Sequence, residues 1–502
     1  MVGRFSLLSE TVDNPSIPCL VLALSGKPLY PRDFTRLYQD RGIAERHSRF
    51  SSVLDPSHQY FVQQEQDNDF QPQVTETLFP LGYRTELKDM IDDAITQPWD
   101  LTKQGLWQVR TSTGGTVGQS GVVPPPPVQD QNINNASRKD ADVESLIFFR
   151  SHHCMADGVS LGAIFQDLMD EGPEFQARIK EMIYQMKKKK KSWWRRLQIL
   201  VGYWGWGSLK AFLYQLRLYI SNIFSPNPWK MLQSIYEQQT NSQGHRKRTL
   251  SWCQVATVDQ VKQVAEYFSS PGHKVTVNDV FASCVSAAIA RLLQYHRETM
   301  HAHLPVLHDM NLVIPVHLQG GILLPGQSLG NKIGAMICRI PAERSSESDN
   351  DTTADNSSMS SGDRLRQVHA ELQARKQTPA AFLSFLVART FGTLGNLGGL
   401  TPWLFAQAHA NASAVLTNVR GPDKWMHLEG RRVEATLGFL PLPPGIPVGV
   451  VCHSYANQVG LTVTAQPWAV SDADLFLSWV VEEYQSLLQE ATTKGKEGNQ
   501  VE

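Results

Sequence analysis

Ser151 to Ser160 reads Ser-His-His-Cys-Met-Ala-Asp-Gly-Val-Ser, and its flanks constrain its shape. Upstream lies a short apolar run, Leu146-Ile147-Phe148-Phe149. Downstream, Leu161, Ile164, Phe165, Leu168 and Met169 recur at i, i+3, i+4, i+7 and i+8. The pattern predicts a buried strand, a tight turn and an amphipathic helix. Gly158 is expected to supply the backbone freedom of the turn. Two imidazoles and a carboxylate then stand where a strand leaves the core and meets a cleft.

This residue set suits proton transfer. A neutral imidazole, with a pKa of about 6.5, can remove the proton of an alcohol as its oxygen attacks a thioester carbonyl. His153 is the expected base. Asp157, four residues on, is expected to fix its turn or its tautomer, and His152 to shape the turn. The plain alternative is two ordinary histidines and a turn-forming aspartate, since patterns this short recur by chance. A metal site would need further ligands, and the nearby chain offers only Cys154 and Asp167 or Asp170, so no metal is expected.

Length and composition set the frame. A chain of 502 residues exceeds what one ordinary core serves, so two domains are expected. Strand and helix patterns alternate on both sides of a basic stretch, which points to an α/β class. The formal net charge of -1 gives no argument for nucleic acid and makes any membrane attraction local. The six cysteines are scattered and read as reduced thiols of a cytosol-facing protein. The N-terminus is polar through Asn14 and lacks the apolar core of a signal peptide.

Three stretches stand apart. Thr111 to Asp142 and Ala342 to Gly362 are rich in Gly, Ser, Pro, Asn or Asp and are expected to be disordered inserts, since such compositions cannot bury a core. Lys187 to Lys191 is a run of five lysines, followed by a largely apolar segment up to Phe224 that is rich in Trp and Tyr. Lys210 and Arg217 interrupt that segment, which argues for helices lying in a membrane face over a spanning helix. A solvated interdomain helix is the plain alternative.

Beyond these, Thr257 to Gln260 is a capping-box pattern that opens a helix. Lys274 to Val280 leads into another, with Phe281, Cys284, Val285, Ala288 and Leu292 inward. Thr276 and Asp279 have capping spacing, so a helix cap is the first reading of Asp279.

The His-His-x-x-x-Asp-Gly of His152 to Gly158 resembles the active-site motif of the wax ester synthase/acyl-CoA:diacylglycerol acyltransferase family, which belongs to the acyltransferases built like chloramphenicol acetyltransferase. Further stretches resemble the same family. They are Asn278-Asp279-Val280, Gly330-Asn331-Lys332-Ile333-Gly334 after the Pro315-Val316 strand, Asn418-Val419-Arg420-Gly421-Pro422, and the pair of strands within Gly445 to Thr464. Gly105-Leu106-Trp107 matches only in part, with Gly105 where the family has proline. Trp107 is equally well read as a core anchor.

The resemblance implies two chloramphenicol-acetyltransferase-like domains, each a mixed sheet flanked by helices, with an active-site channel between them. The divisions are 1–186, a basic and aromatic membrane-associating linker at 187–248, and 249–502. The implied reaction moves a fatty acyl group from acyl-CoA, as co-substrate and with no other cofactor, to diacylglycerol or a long-chain alcohol. His153, His152, Asp157 and Gly158 are the implied catalytic residues. Asn278 and Asp279 are the implied substrate or oxyanion contacts, Asn278 donating a hydrogen bond to developing charge. No Gly-x-Ser-x-Gly elbow supports a serine nucleophile. Two alternatives stay open: acyl transfer to a smaller alcohol or amine, and a non-catalytic lipid-binding protein. The expected location is a cytosol-facing membrane surface, the endoplasmic reticulum first, then plasma membrane or lipid droplet.

Overall fold

The computed structural model describes residues 2–10, 14–64, 73–77, 84–113, 122, 143–188, 199–224, 227–239, 247–300, 303–319, 330–343, 359–395, 399, 403, 409 and 411–498. Most of both expected inserts, Lys189 to Lys191 and the Trp-Trp-Arg-Arg that follows lie outside the described residues.

Two six-stranded sheets carry the fold among the described residues. The first is built on β1 (Cys19–Ser25), β4 (Val74–Glu76), β5 (Trp107–Thr113) and β6 (Val143–Ser151), with a separate hairpin of β2 (Ser52–Leu54) and β3 (Phe61–Gln63). The second comprises β7 (Thr249–Thr257), β8 (Asp309–His317), β9 (Ile333–Pro341), β10 (Ala412–Arg420), β13 (Val448–Tyr455) and β14 (Gln458–Ala465), in the order β7-β14-β13-β10-β8-β9. Strand β10 runs parallel to both neighbours, and the other pairs are antiparallel, so the sheet is mixed.

The chain does not divide cleanly at the basic linker. The strands β11 (His427–Leu428) and β12 (Arg431–Phe439) leave the second half and join the first sheet, whose order is β11-β12-β1-β6-β5-β4. Strand β12 pairs antiparallel with β1, from Cys19 opposite Phe439 to Ala23 opposite Ala435. Its Ala435, Leu437 and Phe439 are buried in one cluster with Cys19, Val21 and Ala23 of β1, and the alternating Thr436 and Gly438 face the large cavity, so the swap buries one face of β12 in the first sheet's core.

The helices cover these sheets. In the first half they are α1 (Val2–Ser9), α2 (Pro31–Asp40), α3 (Ile43–Arg46), α4 (Arg84–Thr96), α5 (Gly158–Leu168) and α6 (Gly172–Lys188). A π-helical stretch, Ile199–Trp206, runs into α7 (Gly207–Phe224), followed by α8 (Pro228–Gln239). In the second half they are α9 (Val258–Tyr267), α10 (Val277–Met300), α11 (Ser361–Lys376), α12 (Ala380–Leu394) and α13 (Ala473–Gly498). Helix α9 opens with the expected capping box. Thr257 accepts from the Gln260 N–H, and the Gln260 side chain accepts from the Thr257 N–H at 2.8 Å. The largest core packs α10, α11 and α13 against the second sheet through Phe281, Leu365, Phe476 and Tyr484. Helix α1 was not legible in the polar N-terminal sequence, because its stability comes from packing against α12 and not from a continuous apolar stripe.

Candidate functional site

Strand β6 is central in the first sheet, between β1 and β5, and is buried along its length except at Glu144. A strand enclosed on both faces reads as an unbroken apolar run, which is what Leu146 to Phe149 shows. The chain turns at its end. Cys154, Met155 and Ala156 are fully buried in the core and act as the turn's anchor. Backbone bonds from His152 N–H to the Leu106 carbonyl and from His153 N–H to the Ser16 carbonyl, at 2.9 and 2.8 Å, hold the two histidines.

The histidines have different surroundings. His152 is buried. Its Nδ1 accepts the Cys154 N–H at 3.1 Å, and its Nε2 lies 2.8 Å from a carboxylate oxygen of Glu10. A ring whose Nδ1 accepts carries its proton on Nε2, so His152 donates to Glu10. The same carboxylate oxygen accepts the Ser16 N–H at 3.0 Å, closing the loop that also touches His153. His153 is only partly buried and lines the large cavity, and its Nδ1 has no hydrogen-bond partner among the described residues. Burial pulls its pKa below the ordinary histidine value, opposed by its own carbonyl and the Asp157 charge. The imidazole is therefore neutral near pH 7 and free to take up a proton.

Asp157 is fully buried and does not hold the His153 ring. One oxygen accepts the Ser160 N–H at 2.8 Å as the N-cap of α5. The other accepts the Lys332 N–H at 2.8 Å, on the second half of the chain. Asn331 donates from Nδ2 to the His153 carbonyl at 2.6 Å, and Ser160 Oγ donates to the Gly330 carbonyl at 3.1 Å. The Gly330 to Gly334 turn thus fastens the second half to the motif by three bonds. Between turning or tautomer-fixing, the structure assigns Asp157 to the turn. Gly334 has no room for a side chain, since a Cβ there would overlap the Ala381 carbonyl where β9 meets α12.

Gly158 departs from expectation. Its φ is not positive, and it is the first residue of α5, so the turn does not need a glycine's freedom. It is exposed in the cavity wall with Val419 4.0 Å from where a Cβ would stand. The absence of a side chain there keeps the cavity open beside His153.

The cavity has a volume of about 1080 Å³ and is walled by both halves, with Leu20 and Phe439 on one side and Val313, Val419 and Phe391 on the other. Strand β10 decides which of the second-half candidates reach it. Val415, Thr417 and Val419 line the cavity, while Ala414 and Leu416 lie in the core beneath α10. Alternation puts Asn418 on the opposite face from Thr417 and Val419, beyond the core residues Ala414 and Leu416, where it is exposed to solvent. Its Nδ2 donates to Asn278 Oδ1 at 2.7 Å. Asn278 is thus on the far face of the sheet, outside the cavity wall, and the oxyanion contact implied for it is not supported by the geometry. Asp279 is fully buried beside it. It accepts from the Thr276 N–H at 2.8 Å and pairs with Lys376 at 3.0 Å and His369 at 2.9 Å, which makes it a helix cap in an ion-paired cluster. Trp107 is likewise a core residue, its Nε1 donating to the Phe50 carbonyl at 2.9 Å.

Two site residues were not foreseen. Glu10 needed the fold of α1 to reach His152. His453 on β13 sits opposite Val419 in register and lines the same cavity. Its ring lies where a side chain on Gly460 would be, and burial lowers its pKa to about 4. The resemblance over Gly445 to Thr464 covers it, but the quoted residues were its neighbours Ser454 and Tyr455.

Two mixed α/β layers share a cavity, with the His-His-x-x-x-Asp-Gly turn at its wall. The family model described as WS/DGAT C-terminal domain matches residues 329–488. No curated protein sequence matches the chain. Its fold is similar to that of a wax ester synthase/diacylglycerol acyltransferase from Marinobacter aquaeolei, at 15% identity and TM-score 0.54, covering 98% of each chain. It is also similar to a trichothecene 15-O-acetyltransferase from Fusarium sporotrichioides, at 10% identity and TM-score 0.58, covering 97% of this chain and 94% of that one. The starter condensation domain of a rhizomide synthetase in complex with C8-CoA matches at 12% identity and TM-score 0.54, over 98% and 94%.

Proposed function

We propose that the protein transfers a fatty acyl group from acyl-CoA to the hydroxyl of a lipid alcohol, diacylglycerol or a long-chain alcohol, at a membrane surface facing the cytosol. The carrying observation is the partly exposed His153 imidazole, its pKa drawn below the ordinary histidine value by burial, in the wall of a mainly apolar cavity of about 1080 Å³. Such a volume lies just above the ~300–1,000 Å³ typical of small-molecule pockets and suits long acyl chains better than a small acceptor.

The chemistry needs one base. His153 takes the hydroxyl proton as the alcohol oxygen bonds to the thioester carbon. As the carbon–sulfur bond breaks, the same imidazole returns the proton to the CoA thiolate, and ester and free CoA leave. No acyl-enzyme forms. Asp157, Asn331 and Ser160 hold the turn from which His153 projects.

The test is purified protein with palmitoyl-CoA and a panel of diacylglycerol, fatty alcohols, short alcohols and amines, with products separated by polarity. Triacylglycerol or wax ester that depends on His153 supports the reading. Product only from short alcohols or amines would replace it with a smaller acceptor. No product, with tight binding of lipid, would make the protein a lipid carrier.

A further inference from the structure

Two helices far apart in sequence place apolar side chains in solvent on the same side of the molecule. On α7, Leu209, Leu213, Leu216 and Ile220 recur at i, i+4, i+7 and i+11 and are all exposed. On α12, Phe382, Leu386, Val387 and Leu394 are exposed as well. The two helices meet at their N-terminal ends, where Trp204 of the π-helical stretch ahead of α7 packs edge to face on Phe382, ring centres 4.9 Å apart, and Gly207 passes against Pro379, the residue before α12. Apolar patches of this extent on a monomer usually mark an interaction site.

The same residues border the cavity. Phe212, Leu216, Tyr219, Leu386 and Val387 are at once exposed and part of its wall, so the cavity reaches the surface through this face. Its charge is one-sided. From Ile199 to Phe224 and from Ala380 to Leu394 there are three exposed cations, Lys210, Arg217 and Arg389, and not one carboxylate. A protein partner would be expected to answer an apolar face of any sign, but a cationic rim around an apolar centre complements an anionic phospholipid surface. No helix among the described residues is long and apolar enough to cross a membrane, so the fit is to the interface and not to a span.

We propose that α7 and α12 together lie on an anionic lipid bilayer and that the cavity opens between them into the lipid, so that a membrane-dissolved acceptor reaches His153 without crossing water. This rests on the lipid-alcohol reading above. The attachment expected above already included the apolar segment that forms α7; what is added is α12 as the second half of the surface and the opening of the cavity between the two helices.

The experiment uses the full chain and two acceptors. Vesicles of phosphatidylcholine with phosphatidylserine, carrying long-chain diacylglycerol, report docking by co-sedimentation and delivery by activity. A water-soluble short-chain diacylglycerol reports chemistry alone. The variant Leu209→Glu/Leu213→Glu/Ile220→Glu changes exposed residues outside the cavity wall. It should lose at least tenfold in vesicle binding and in activity on vesicle-borne substrate, and keep its rate on the soluble acceptor. Lys210→Glu/Arg217→Glu, which leaves the apolar stripe intact, should lose binding only to vesicles containing phosphatidylserine, and guards against misfolding of the first variant. Wild-type retention of vesicle binding in the triple variant would overturn the proposal. So would a wild-type protein that ignores vesicles but forms a dimer that the triple variant breaks. Vesicle binding by a wild type that acylates neither acceptor would instead overturn the lipid-alcohol reading and leave the docking surface standing.

Discussion

Helices α5 and α10 begin alike and end up doing different work. Each follows a turn, and each has a fully buried aspartate in its first turn region, Asp157 or Asp279, that accepts a backbone N–H at 2.8 Å. Each carries a motif of the same family. Yet α5 starts at the cavity wall with His153 beside it, whereas α10 starts behind β10, where Asn278 bonds Asn418 and Asp279 pairs with Lys376 and His369. A strand has two faces, and one residue of register separates a cavity-lining side chain from one in the core. A motif therefore announces a cap wherever it occurs, but the sheet decides whether the cap serves chemistry.

The sharpest contrast is in turnover. His153→Ala should lower it by ~10²–10⁴-fold in a folded protein, the usual worth of a general base. Asn278→Ala should leave it within about twofold if the amide only bonds Asn418, since one neutral hydrogen bond contributes ~1 kcal/mol to stability. A drop of a hundredfold for Asn278→Ala would break the comparison and return that amide to the reacting atoms.

The two aspartates come next. Asp157→Ala and Asp279→Ala should each cost ~2–4 kcal/mol in a urea melt, because each leaves buried N–H groups, or a partly buried cation, without its partner. Only Asp157→Ala should also slow turnover below the melting range, since it frees the Lys332 tie that seats the motif. Equal loss of turnover in both would remove the distinction.

A smaller effect lies in pH. His453 is held near a pKa of about 4 by burial, against about 6.5 unfolded, so the unfolded chain binds its proton first as pH falls. Stability from this group is complete above pH ~6.5 and declines toward pH ~4, by up to ~3 kcal/mol. His453→Phe should flatten that part of a stability profile, and an unchanged profile would show that another group drives it.

Much of this was readable in the residues. The strand-turn-helix of Leu146 to Met169 was legible because its apolar run and its 3.6-residue period are local signals. The capping roles of Thr257 and Asp279 were legible for the same reason. Placement was not. Nothing local says that Arg431 to Phe439 crosses to the first sheet, because its alternation fits either core equally well. Nothing local says that Glu10 meets His152, since 142 residues separate them. Gly158 was misread because a glycine before a helix suggests a turn, whereas here it keeps space open beside Val419.

The central claim is that a neutral His153 at the cavity wall is the base. Its most direct test is the pH dependence of kcat/KM for palmitoyl-CoA with a soluble diacylglycerol, in wild type and His153→Ala. The base must be unprotonated, and burial sets its pKa below the ordinary value of 6.5. The wild-type profile should therefore rise through an acid limb with a midpoint below 6.5 and level off by pH 7, and the residual rate of the variant should lack that limb. A midpoint above 6.5, or the same limb surviving in His153→Ala, would contradict the account.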